Sequence, residues 1–134
     1  MLADMKPVAP ILLLAALSAC ATTASAPAED WPPRTTLLKI GQARNVDGPR
    51  IEVLRLLEDS RCPMNARCVQ AGTVRIHVQF SSGPAARDAE LELGRPISIA
   101  DGSLELVEVR PQLMAGENVD PADYEFALRF MGGL

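Results

Sequence analysis

The chain has one histidine, His77, and two lysines, Lys6 and Lys39, in 134 residues. With a single imidazole and few hydroxyl neighbours, no Ser-His-Asp or Cys-His arrangement suggests itself. Basic charge is scarce as well. Lys plus Arg number 13 against 17 Asp plus Glu, a net charge of −4. That balance opposes nucleic-acid binding, which needs a basic face for the phosphates. No stretch of the chain after residue 20 sustains a period of 3.6, so long amphipathic helices are not expected. Internal repeats are absent. Residues 34–134 can enclose one small core and are too few for two domains. The carboxylate pairs Glu90/Glu92 and Asp101/Glu105 fall on exposed strand faces or turns, whereas general-acid work needs a cleft that raises one pKa. No enzymatic activity and no cofactor are expected.

Long apolar runs are also missing, with one exception. Val8 to Leu17 is apolar apart from prolines and follows Lys6. A charged start and a run of this length have the form of an export signal. Spanning a membrane as a helix would take about 20 apolar residues. The run closes on Leu17-Ser18-Ala19-Cys20, which resembles the lipobox of bacterial lipoproteins. The resemblance implies diacylglyceryl transfer to the Cys20 thiol, cleavage before Cys20, and acylation of the new amino terminus. Ser18 and Ala19 are small enough to seat in the shallow pockets of a signal protease. An ordinary secretory signal, cut near Ala24-Ser25-Ala26, would make Cys20 incidental. A start at Met5 would remove Asp4 from the charged segment. Removal of residues 1–19 takes away Asp4 and Lys6 and leaves 16 acidic and 12 basic residues, still −4. Residue 21 is Ala rather than Asp, which resembles lipoproteins sent on to an outer membrane. The expected place is the bacterial envelope, facing the periplasm where the host has an outer membrane. Three acyl chains, at about 0.8 kcal/mol per buried CH₂, anchor effectively permanently.

Residues 20–33 are expected to be the lipidated cysteine and a tether. "ATTASAPAEDWPP" is rich in small residues, Thr, Ser and Pro, and spans roughly 20 Å root-mean-square. Trp31, the only Trp, is expected to pack on the domain where order begins; the competing role is an interfacial anchor or partner contact.

Residues 34–134 alternate with a period of two. "TVRIHVQF" places Val74, Ile76, Val78 and Phe80 on one face and Arg75, His77 and Gln79 on the other. "DYEFALRF" groups Tyr124, Phe126, Leu128 and Phe130. In "SLELVEV" the phase slips between Leu106 and Val107, as a β-bulge produces. A second slip is expected near Leu54 in "RIEVLRLL". Shorter runs are Thr36–Ile40, Glu90–Leu93 and Pro96–Ile99. Asp101-Gly102 is the pair suited to a two-residue hairpin, and Asp47-Gly48-Pro49 and Ser81-Ser82-Gly83-Pro84 mark other turns. About seven short strands indicate an all-β fold, a small antiparallel β-sandwich or partly open barrel. The loop over residues 110–122 is expected to be non-helical, given Pro111, Gly116 and Pro121.

With Cys20 carrying lipid, Cys62 and Cys68 remain, an even number in an oxidising compartment. A disulfide is the default. Two other chemistries compete. Redox pairs favour Cys-x-x-Cys at a helix start, whereas this spacing is longer and the setting is a β loop. A metal site would need further ligands, and His77 points away from the core side by strand phase. Met64 and Met114 could serve soft copper but lack a paired spacing. Asp59 can accept backbone N–H bonds as Asx turns do. Arg61 and Arg67 flank the bridge and can pair with Asp59 or Glu58. Such pairs are either solvated surface ion pairs worth about 0–1 kcal/mol or the edge of a rigid recognition loop, with Asp59, Arg61 and Arg67 as its residues.

Asp59-Ser60-Arg61-Cys62-Pro63, followed by Cys68-Val69-Gln70-Ala71-Gly72, resembles an uncharacterised family of small bacterial secreted proteins and lipoproteins. Members carry the Asp-Ser-Arg-Cys-Pro segment, a second Cys, an Ala-Gly leading into a strand, and a final strand preceded by a Pro-containing loop and a Tyr, here Pro121 and Tyr124. The chain departs from the pattern at Gln70, where an aromatic is expected, and at Arg110-Pro111-Gln112, where an aromatic between two prolines is common. The family has no established activity, so the resemblance implies fold and compartment. Together these features lead to the expectation of a lipid-anchored, non-enzymatic binding or structural module of the envelope. It would hold the membrane through Cys20 and could take an envelope protein as partner. The alternatives are an inhibitor of an envelope-degrading enzyme such as lysozyme, whose inhibitors have similar size and anchoring but other motifs, and a redox or metal accessory protein.

Overall fold

The computed structural model describes residues 30–132. The expected signal peptide, Cys20 and most of the tether lie outside them. The elements are β1 (Thr36–Leu38), β2 (Ala43–Asn45), β3 (Arg50–Asp59), β4 (Val74–Ser81), β5 (Ala86–Glu92), β6 (Ile97–Ile99), β7 (Gly102–Arg110), a 3₁₀ turn (Pro121–Asp123) and β8 (Glu125–Gly132). They form two antiparallel four-stranded sheets, ordered β1-β8-β7-β6 and β2-β3-β4-β5. The architecture is a β-sandwich and no barrel closes. One corner is stitched, where Leu93 bridges to Leu106 and the Gly94 N–H donates to the Leu106 carbonyl at 2.9 Å.

Alternation explains the core. β4 contributes Val74, Ile76 and Val78, all fully buried, and β8 contributes Phe126, Leu128 and Phe130. Ile51 and Val53 of β3, Leu91 of β5, Leu38 of β1 and Leu104, Leu106 and Val109 of β7 complete the two inner faces. Each fully buried side chain of this size contributes about 1.5–3 kcal/mol of transfer free energy. Phe80, expected in that core, is half-buried, because it sits at the open end of β4. The phase slips fall where the pattern breaks. The β7–β8 register shifts between Leu106 and Glu108, and the β3–β4 register shifts between Val53 and Arg55 and again between Leu56 and Glu58.

Eight strands are present rather than seven. β2 escaped the pattern because Ala43-Arg44-Asn45 has no apolar alternation; it is an edge strand held by pairing with Arg50–Glu52. β5 extends back to Ala86, through polar residues whose backbone pairs with β4. The β6–β7 hairpin turns on Ala100 and Asp101, since Ile99 pairs with Gly102 and Ala100 has φ +48°. Gly102 is needed for another reason: a Cβ there would run into the Met131 carbonyl and the Phe130 ring. The loop over residues 110–122 is irregular until Pro121, where the 3₁₀ turn begins. Asp120 caps it, accepting from the Ala122 N–H at 2.9 Å.

Strand direction gathers several connections at one end. β3 ends and β4 begins there, as β7 ends and β8 begins. The loop over residues 60–73 and the loop over residues 111–124 are therefore neighbours. Trp31 also packs near this end, with the Arg110 guanidinium 3.8 Å from its ring centroid. Its ring rests on the domain, as expected.

Candidate functional site

The loop between β3 and β4 is closed by a Cys62–Cys68 disulfide, with Cα atoms 5.9 Å apart. Pro63 holds its own φ near −65° and keeps Cys62 extended. The Ala66 N–H returns to the Pro63 carbonyl at 3.1 Å, which tightens the turn inside the bridge. The base of the loop is pinned separately. The Ser60 N–H donates to the Thr73 carbonyl at 2.8 Å, and the Thr73 N–H donates to Ser60 Oγ at 3.0 Å. Gly72 lies against this pinning, where a Cβ would overlap the Ser60 carbonyl. The Ala-Gly of the motif is thus a close backbone approach.

Asp59 and Arg61 form the centre of the pole. Arg61 Nε and Nη2 donate to the two Asp59 oxygens at 2.9 and 2.8 Å, a bidentate pair. Its Nη1 donates to the Val109 carbonyl at 2.9 Å and Nη2 to the Pro111 carbonyl at 3.0 Å. The Arg110–Pro111 peptide is cis. The Tyr124 hydroxyl donates to Asp59 Oδ2 at 2.7 Å from the start of β8. Arg61 thereby ties the bridged loop to the end of β7, and Asp59 ties it to Tyr124, the residue before β8. The side chains of Arg61 and Asp59 are 15% and 6% exposed, so this is no solvated surface pair.

The protonation of the cluster follows from its geometry. Burial pushes the Asp59 carboxyl up, but the hydrogen bonds from Arg61 and Tyr124, with the Arg61 charge, outweigh it and hold the carboxyl below its usual range. The hydrogen bond to Asp59 raises Arg61 despite its burial. Burial, then the hydrogen bond to Asp59 and its charge, push the Tyr124 hydroxyl up to about 12. At neutral pH the cluster is one carboxylate, one guanidinium and one neutral phenol, all mutually satisfied.

The candidate residues therefore separate. Asp59 and Arg61 are brought together and face inward. Arg67 is exposed and makes no ion pair among the described residues. Glu58 pairs with neither of them. It accepts from Arg75 Nε at 2.8 Å on the outer face of β3 and β4. The same pair of loops exposes apolar side chains: Met64 is 67% exposed, Val69 fully so, and Met114 37%. The Met64 N–H donates to the Leu113 carbonyl at 2.9 Å, and the Ala115 N–H donates to Asn65 Oδ1 at 2.7 Å. These bonds hold the two loops side by side. Among the described residues no group of three His, Cys, Asp or Glu is placed to hold a metal ion. His77 lies 3.3 Å from Asp88 on the outer face of β4 and β5. Cys20 lies outside the described residues.

Sequence reasoning missed the partners of Arg61 on β7 and the Tyr124–Asp59 bond. The available signal was Tyr124 itself, a residue with a polar tip in an otherwise apolar stripe, whose hydroxyl needs a partner when buried. No family model matches the chain, and no curated protein or solved structure is detectably similar to it.

Proposed function

We propose that the protein is a lipid-anchored, non-enzymatic module of the bacterial envelope that presents a rigid, disulfide-braced loop to a partner. The Cys62–Cys68 bridge carries the proposal. Such bonds persist in oxidising compartments, and Leu17-Ser18-Ala19-Cys20 resembles a lipobox. Lipid on Cys20 leaves an even pair of cysteines for the bridge. The motif Asp59–Pro63 with Ala71-Gly72 fits the small bacterial secreted and lipoprotein family that it resembles. Its residues serve the architecture of the loop. Arg67 is the charged side chain that the loop leaves available, so recognition of the partner falls to Arg67. An outer membrane, where the host has one, is the place that Ala21 favours.

Metabolic labelling with a palmitate analogue tests the anchor. Wild type is expected to incorporate label and Cys20→Ala to lose it; equal labelling would reject lipidation. Crosslinking in whole cells through a photoreactive residue at position 67 then identifies the partner. A second reading, inhibition of an envelope-degrading enzyme such as lysozyme, draws on the same exposed, pre-ordered loop, since rigidity lowers the ordering cost of binding. Lysozyme turnover in the presence of the purified domain tests it directly.

A further inference from the structure

We infer that the pole carrying Met64, Val69 and Met114 rests against the surface of the bilayer that holds the anchor. The inference builds on lipidation at Cys20. Two observations point to it. The first is where the tether leaves the domain. Asp30, the first described residue, accepts from Arg110 Nη2 at 2.7 Å through its carbonyl. Arg110 ends β7, and the next carbonyl, that of Pro111, is bonded to Arg61 of the bridged loop. The tether therefore departs beside this pole. Residues 21–29, nine in number, separate Cys20 from Asp30. By the scaling for linkers, nine residues would span roughly 17 Å root-mean-square. β3 has ten residues, about 33 Å at the rise of a strand. A lipid on Cys20 would on these lengths lie nearer the bridged pole than the opposite one.

The second observation is the chemistry at the pole. Met64, Val69 and Met114 are three of the four large apolar side chains that the described residues expose. The backbone bond from Met64 to Leu113, and the bond from the Ala115 N–H to the Asn65 side chain, hold their loops in place. The patch is small beside the roughly 20–30 residues per side of a stable protein interface. A tethered surface does not need that size, because a short linker raises the effective concentration to about the millimolar range. Arg61 is neutralised by Asp59, and the side chains of Met64, Val69 and Met114 carry no charge, so apolar surface rather than anionic lipid carries the contact. Flexible methionines adapt to an irregular, fluid surface. Contact at this pole would place the long axis of the sandwich upright on the membrane and leave the β4–β5 turn at Ser82 as its distal tip.

Tryptophan quenching tests the arrangement. Trp31→Phe removes the only Trp, and Val69→Trp or Ser82→Trp then reports on either pole. Full-length lipidated protein is placed in vesicles of phosphatidylethanolamine and phosphatidylcholine brominated near the headgroup end of the chains. Flotation with the vesicles is measured first, because loss of flotation would reject the anchor and the inference together. With flotation intact, Val69→Trp is expected to be quenched several-fold more than Ser82→Trp, unchanged by salt. Equal quenching at the two poles, or none at position 69, would overturn the membrane contact while leaving the anchor standing. Crosslinking of position 69 to a protein in cells, with no quenching in vesicles, would also overturn it and assign the patch to that partner.

Discussion

Arg61→Met removes a guanidinium that makes four hydrogen bonds and leaves its length in place. Asp59, with its side chain 6% exposed, then keeps its charge in a nearly dry site with only the Tyr124 hydroxyl and local backbone to stabilise it. Breaking one partner out of a buried pair costs about 3–5 kcal/mol, because an uncompensated charge remains. Two backbone carbonyls, of Val109 and Pro111, also lose their donor. We expect a loss near 3–4 kcal/mol at pH 7, and full folding only if total stability exceeds that. The pH dependence distinguishes this cause from lost packing. In the wild type the Asp59 pKa is lowered, so its contribution is present above the unfolded carboxylate value of about 3.9 and is lost as pH falls through the folded value. In the variant the Arg61 side-chain bonds and charge are gone while burial remains, so the folded pKa lies above its wild-type position. Less carboxylate stabilisation is then present at pH 7, and less is lost as pH falls. The gap between the two proteins should be widest at pH 7 and narrow toward pH 3. Urea unfolding followed by far-UV circular dichroism measures it. Arg67→Met, at an exposed position, should change stability by no more than about 0.5 kcal/mol. A gap under about 1 kcal/mol at pH 7, or one that is the same at pH 3, would refute the role given to Arg61.

Gly72→Ala should destabilise by about 1–3 kcal/mol, the range for overpacking, since its Cβ would overlap the Ser60 carbonyl; a neutral result in thermal unfolding would show that the loop base can shift freely. Phe126→Ala should cost about 3–5 kcal/mol in the same assay, whereas Arg75→Ala, on the outer face with half-exposed ion pairs, should cost at most about 1 kcal/mol. Changing Cys62 and Cys68 together to Ser should cost roughly 2.3 kcal/mol by the chain-entropy estimate for a seven-residue loop. The sandwich should stay folded, as the Arg61 and Ser60 tethers remain, and non-reducing mass spectrometry of the wild type should show the linked peptide with no free thiol.

Much of this fold was legible in the chain because strand periodicity is local. The stripe Val74, Ile76, Val78 and the stripe Phe126, Leu128, Phe130 each declare their buried face within a few residues. A slip such as that after Leu106 is visible as a broken alternation. The short β2 was not legible, since an edge strand with one paired side needs no apolar pattern. The hairpin turn was misplaced by one residue because Gly102 serves a contact with β8, and contacts between strands distant in sequence leave no local mark.

The bridged loop divides along the same line. Its position between two strands, the pairing of Cys62 with Cys68 and the closeness of Arg61 to Asp59 follow from neighbours in the chain. What Arg61 does could be decided only in three dimensions. Its remaining donors go to Val109 and Pro111, and the Asp59 oxygens take the hydroxyl of Tyr124, residues 48 to 65 positions away. The tertiary fold brings those carbonyls and that phenol to one dry pole, where leaving a donor or acceptor unpaired is costly. That cost turns Arg61 inward and leaves Arg67, an arginine of the same loop, facing solvent.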